Sequence, residues 1–129
     1  MSSRIYVLDA SALLAMMLNE PGAAMVESRL ADARVSAVNL SEVVAKLQER
    51  GAPDAVIEES LAELDLLVIP FDAAQGVAAG RLRGATRKAG LSLGDRACLA
   101  LAMSCDAVAV TTDRGWEALE LPVEIELAR

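Results

Sequence analysis

Ile5-Tyr6-Val7-Leu8-Asp9-Ala10-Ser11 is the stretch on which the fold turns. Four apolar residues in a row read as a short strand buried on both faces, because a strand with one wet face alternates. An acid directly after such a strand stands where open parallel sheets bind ligands, beyond the carboxyl ends. Working outward, Ser11–Leu18 has a helical pattern, Asn19-Glu20-Pro21-Gly22 breaks it, and a second helix runs to about Ala31. Val35–Val38 reads as a strand, and Asn39 starts a helix to Arg50, ended by Gly51. Pro53 opens a helix to Leu64, with proline near the first turn. Leu66–Ile69 is a third strand, followed by an Ala-rich helix to Lys88 that Gly90 stops. Ser92-Leu93-Gly94-Asp95 begins a helix to about Ser104. Ala107–Thr111 is a fourth strand, Asp113–Leu119 a short helix and Val123–Leu127 a fifth strand. Apolar strands alternating with helices predict a three-layer α/β fold. Its mostly parallel sheet of four to five strands is covered by helices on both faces.

The 129 residues suit one domain spanning 1–129, and a 54% hydrophobic content supplies its core. The net charge of -7 argues against a general nucleic-acid coat protein and fits an acidic metal site or a basic partner. There is no histidine, and Cys98 and Cys105 lie seven apart in one helix. That spacing is about 10 Å along the axis, too far for a disulfide, so both read as reduced, buried thiols in a cytoplasmic protein. A zinc site of the usual kind is excluded by the same inventory. The longest apolar runs, Ala12–Leu18 and Ala97–Met103, are seven residues each, against roughly 18 for a membrane span. No signal peptide is expected. Gly76, Gly80 and Gly84 recur every four residues along the long helix, which predicts close packing against a second helix, with close approach of an RNA backbone as the lesser alternative.

Four acids occupy strand-to-helix turns or helix starts: Asp9, Glu42, Asp95 and Asp113. Each has a local explanation. Asp9 and Asp113 can cap the helices that follow. Asn39-Leu40-Ser41-Glu42 matches a capping box, and Asp95 suits a helix N-terminus. Taken together they can meet at one end of the sheet. Carboxylates so gathered stay ionised at neutral pH only beside a cation, and oxygen-only ligands suit Mg²⁺ or Mn²⁺. Such sites serve phosphodiester hydrolysis. Ser11 and Thr112 flank two of the acids and can orient a carboxylate or bond the local turn. Asp72 reads as a helix cap. From Arg81 to Arg96 there are five basic residues and one acid, a net +4, which leaves -11 on the rest. That segment either holds a phosphate backbone near the acids or is an exposed helix face.

These motifs resemble the PIN-domain family. Ile5–Ser11 resembles its opening strand and Asp-x-Ser, and Asn39-Leu40-Ser41-Glu42-Val43 its Ser-Glu helix start. Leu91–Ala102 and Val110-Thr111-Thr112-Asp113-Arg114-Gly115-Trp116 are similar to VapC-like toxins. The resemblance implies a PIN fold and a Mg²⁺- or Mn²⁺-dependent endoribonuclease, with transfer RNA as first substrate. It also implies a homodimer inhibited by a VapB-like antitoxin. Carried over by position, Asp9, Glu42, Asp95 and Asp113 are the metal-site acids, with Ser11 and Thr112 beside them. Arg96 and Arg114 are candidate phosphate contacts, as are Arg87 and Lys88 in the basic segment. The alternatives are a PIN nuclease of RNA maturation and a PIN domain that binds RNA without cutting it. A haloacid-dehalogenase-like phosphatase would need an acid where Ser11 stands. A response-regulator receiver would need paired acids where Asp9 is followed by Ala10.

Overall fold

The computed structural model describes residues 4–129. Strand β1 (Tyr6–Leu8) leads into α1 (Ala10–Met17) and α2 (Ala23–Arg29). A 3-10 turn at Leu30–Asp32 delivers the chain to β2 (Ala33–Ser36), then α3 (Ala37–Glu49), α4 (Asp54–Leu64) and β3 (Leu67–Ile69). Next come α5 (Ala73–Thr86), α6 (Leu93–Cys105), β4 (Val108–Thr111), a 3-10 helix at Arg114–Ala118 and β5 (Glu124–Leu127). All four strand pairs are parallel, in the order β3-β2-β1-β4-β5. The expected three-layer α/β architecture is therefore the observed one.

The pleat divides the strand residues between two cores. Tyr6, Leu8, Val35, Val108 and Val110 face α1–α4 and pack with Leu13, Val26, Val43 and Ile57. Val7 and Ala109 face the other way, onto Leu82, Leu99 and Trp116. Fully burying an aliphatic side chain contributes about 1.5–3 kcal/mol, so these two sets hold the helices to the sheet. Gly22 starts α2 at φ 97°, and a Cβ there would meet the Ala128 carbonyl at 2.7 Å. Only glycine lets the α1–α2 turn close against the end of the chain. Among the described residues, no helix is long and apolar enough to cross a membrane.

Three expectations need correction. The strand read at Val35–Val38 is Ala33–Ser36, because Ser36 accepts a hydrogen bond from Val38 N–H and caps α3. Asn39 therefore lies inside the helix, not at its start. The glycine row of α5 does not mediate close packing: a Cβ on Gly80 or Gly84 would meet nothing within 4 Å. The helix instead buries Ala79, Leu82 and Thr86. Both cysteines are free, as expected, but only Cys98 is buried and Cys105 is half-exposed. Asp72 does cap α5, accepting from Gln75 N–H at 3.0 Å.

Candidate active site

The strand order places β1 between β2 and β4, so the connections leave β1 in opposite directions on its two sides. A parallel sheet opens a crevice beyond its carboxyl ends at such a switch point. Asp9 follows β1 and Asp113 follows β4, on its two banks.

Asp9 caps α1. Its Oδ1 accepts from the Ala12 amide at 2.8 Å and from Ser11 Oγ at 2.7 Å. Its Oδ2 accepts from Thr111 Oγ1 at 2.5 Å. Ser11 Oγ in turn accepts from the Thr112 amide at 3.0 Å, which ties the two turns together. Only 4% of Asp9 is exposed. Burial pushes its carboxyl up from 3.8 to about 6. The bonds from Thr111, Ala12 and Ser11 oppose that rise, and the charge of Asp95 adds to it.

Glu42 projects from α3, and its Oε1 accepts from Asn39 Nδ2 at 2.9 Å. The same amide group donates to the Gly94 carbonyl at 3.0 Å, which links α3 to the first turn of α6. The Glu42 carboxylate occupies the space that a Cβ on Gly94 would fill. The capping box read at Asn39–Glu42 is therefore replaced by a side-chain pair within the helix. A capping box does exist at Ser92–Asp95: Asp95 Oδ2 accepts from the Ser92 amide at 3.0 Å, and Ser92 Oγ from the Asp95 amide at 3.1 Å. Asp113 is exposed and caps the 3-10 helix through Gly115 N–H at 2.8 Å.

Asp9, Glu42, Asp95 and Asp113 line one cavity of about 240 Å³, with Ser11, Asn39 and Lys46. Four acids face one hollow, Lys46 is the one cation among its lining residues, and Asp9 is raised by burial. That donor set fits a hard divalent cation. Among the described residues, no three of these carboxyl groups are arranged to hold one ion together. The fit is to an ion held by one or two carboxylates and by water, as magnesium prefers.

Three residues of the site carry no clear signal in the sequence. The threonine hydroxyl on Asp9 belongs to Thr111; Thr112 contributes only its backbone amide, to Ser11. Asn39 positions Glu42 and leaves its Oδ1 buried without a partner. Lys46 stands one turn beyond Glu42 and resembles any lysine on a wet helix face. The candidate phosphate contact Arg96 turns away from the cavity and donates Nη1 to the Ala79 carbonyl at 3.0 Å, joining α6 to α5. Arg87, Lys88 and Arg114 are exposed. The Cys98 thiol is pushed well up by burial, with the acids Asp9, Asp95 and Glu42 adding to it, so it is not a nucleophile.

A family profile described as PIN domain matches residues 6–121. No curated protein matches the chain by sequence. Among solved structures, the chain is similar to one in the DNA-bound VapBC of Salmonella typhimurium. The two are 19% identical over 98% of this chain and 100% of that one, with a TM-score of 0.72. A toxin–antitoxin complex from Klebsiella pneumoniae is similar at 14% identity, over 96% and 98% of the two chains, TM-score 0.73. So is the sarcin–ricin-loop-cleaving toxin VapC20 of Mycobacterium tuberculosis, at 15% identity over 90% and 95%, TM-score 0.73. At these identities the likeness is one of fold.

Proposed function

The chain belongs to the PIN-domain family, and from that premise we propose that it is a Mg²⁺- or Mn²⁺-dependent endoribonuclease, the toxin of a VapBC-type pair. The observation that carries this reading is the meeting of Asp9, Glu42, Asp95 and Asp113 in one cavity at the sheet's switch point. When bound, the ion supplies activation of water and stabilisation of charge developing on the phosphate. The chain's own residues prepare the place. Ser11 and Thr111 fix both oxygens of Asp9, Asn39 fixes Glu42 against Gly94, and the Ser92 cap fixes Asp95. Positioning of this kind is worth several kcal/mol in a barrier. Exposed Arg87, Lys88 and Arg114 supply the phosphate contacts that an acidic protein otherwise lacks.

A VapB-like antitoxin holds the enzyme in check and the toxin acts as a homodimer; the similar folds in antitoxin complexes support the pairing. The protein, purified free of its antitoxin, is incubated with transfer RNA and ribosomal RNA in Mg²⁺, in Mn²⁺ and in EDTA, and the RNA ends are sequenced. Cleavage at defined positions is expected with either ion. It is expected to stop in EDTA and with Asp9→Asn. RNA binding without cleavage under any ion would replace the nuclease by an RNA-binding PIN domain. Co-expression with the neighbouring small reading frame is expected to restore growth and to yield a complex.

A further inference from the structure

A second hollow, of about 490 Å³, adjoins the acidic cavity and shares Asp113 with it. It is of ordinary size for a small-ligand pocket. Its walls differ from those of the acidic cavity. Leu119 and the exposed Ala85, Ala89 and Ala118 make them apolar, and Lys88 and Glu120 stand among them. Trp116 is wholly buried behind these walls, with its Nε1–H closed off from solvent. Apolar walls with a cation and an acceptor among the lining residues match one flat group with a polar rim.

We propose that this hollow is a nucleobase pocket, which takes the base of the RNA nucleotide next to the phosphate held at the acids. The inference rests on the nuclease reading and adds where sequence preference arises. Continuity through Asp113 places a base there within one nucleotide of the acidic cavity. Leu119 and the exposed alanines of the hollow lie against the base, Lys88 neutralises the adjoining phosphate, and Glu120 accepts from an N–H group on the base edge. A base read by contacts of this kind gives position-specific discrimination, whereas phosphate contacts alone do not.

Trp116 is the sole tryptophan in the chain, so its fluorescence reports on the pocket. The experiment uses the full chain carrying Asp9→Asn, with Mg²⁺ and single-stranded oligoribonucleotides that span a mapped cut. One set of oligonucleotides lacks a single base at each position in turn. Removal of the base beside the cut is expected to weaken binding roughly tenfold and to abolish the fluorescence change. Removal of bases elsewhere should do neither. Ala85→Phe, at an exposed position lining the hollow, fills the pocket without burying a new polar group. It is expected to make the intact and base-deleted strands bind alike and to broaden the cleavage preference of the otherwise wild-type enzyme. If RNA is cut but neither base deletion nor Ala85→Phe changes preference, the pocket assignment is wrong and the nuclease reading stands. The same holds if fluorescence responds to the antitoxin and not to RNA. If no RNA is bound or cut at all, the nuclease reading fails and the pocket falls with it.

Discussion

Asp9 is the acid from which water is almost wholly excluded, and its ionisation sets a cost on the metal-free protein. Its carboxyl titrates at about 6 in the fold against 3.8 outside it. A raised folded value means that the stabilising contribution is complete below about pH 3.8 and is lost as pH rises through about 6. At pH 7.5 the ionised carboxylate therefore costs on the order of 3 kcal/mol, most of which an asparagine avoids. Asparagine also caps α1 nearly as well, and Thr111 Oγ1 can turn to accept from its amide. In EDTA at pH 7.5, Asp9→Asn is expected to melt several degrees above wild type, and the gap should close as pH is lowered to 4. A gap that does not vary with pH would show that burial of this charge is not the cause. Thr111→Val removes one donor that opposes the rise, so it should shift the acid limb of the cleavage pH profile upward. Thr112→Val should not. The sequence located Asp9 because an acid after an apolar strand stands out. It did not distinguish Thr111 from Thr112, since side chains alternate along a strand and an uncertain end decides which hydroxyl turns inward.

At the scale of elements, the junction of α3 with α6 holds the site together, and it is made of small groups. Asn39 Nδ2 bridges the Glu42 carboxylate and the Gly94 carbonyl, and a Cβ at position 94 would overlap the carboxylate. Two effects oppose each other in Gly94→Ala. Alanine in place of a helical glycine favours the helix by up to about 1 kcal/mol, and the obstructing atoms are the far end of a flexible side chain that can swing aside. Swinging aside breaks the bond from Asn39 and displaces Glu42. Gly94→Ala is therefore expected to melt within a few degrees of wild type yet to lose cleavage at least as severely as Glu42→Gln. Parallel melting and cleavage assays check this. A large loss of stability with residual activity in the folded fraction would make Gly94 a packing residue only. This junction was hidden in the sequence. Ser36, Asn39 and Ser41 are all good caps, and reading the start of α3 at Asn39 turned a buried bridge into a surface cap. Periodicity located the helix but not its first residue, and the first residue decides which side chains point inward. The glycine row of α5 misled for a related reason: spacing marks a face, and only tertiary packing says whether that face meets anything.

For the molecule as a whole, the alternation of apolar strands and helices was enough to give the layers, the parallel sheet and the edge on which the acids stand. The strand order β3-β2-β1-β4-β5 comes from packing, and it is what converts four scattered acids into one cavity. Charge follows the same division. The chain carries -7 overall, so a polyanion is repelled at long range and must be held by a local positive strip. Arg81, Arg83, Arg87 and Lys88 are exposed along and just after α5, while Arg96 is taken up by the Ala79 carbonyl. Lys88 also lines the hollow that reaches Asp113, which puts the end of the strip next to the acids. Binding to phosphates releases counterions, and each phosphate neutralised on a single strand adds about 0.7 to the slope of log affinity against log salt. Replacing Arg87 and Lys88 with alanine, in the Asp9→Asn background, should lower that slope by about 0.7 for each phosphate left without its cation. Affinity should fall similarly for all RNA sequences, because phosphates carry no sequence. Arg50→Ala removes the same charge from a residue paired with Glu20 at 3.7 Å, outside the strip, and should leave the slope unchanged. Affinity titrations from low to high salt give all three slopes. If Arg50→Ala flattens the slope as much as the double variant, net charge and not the α5 strip governs RNA capture, and the path of the strand past Asp113 must be sought on another face.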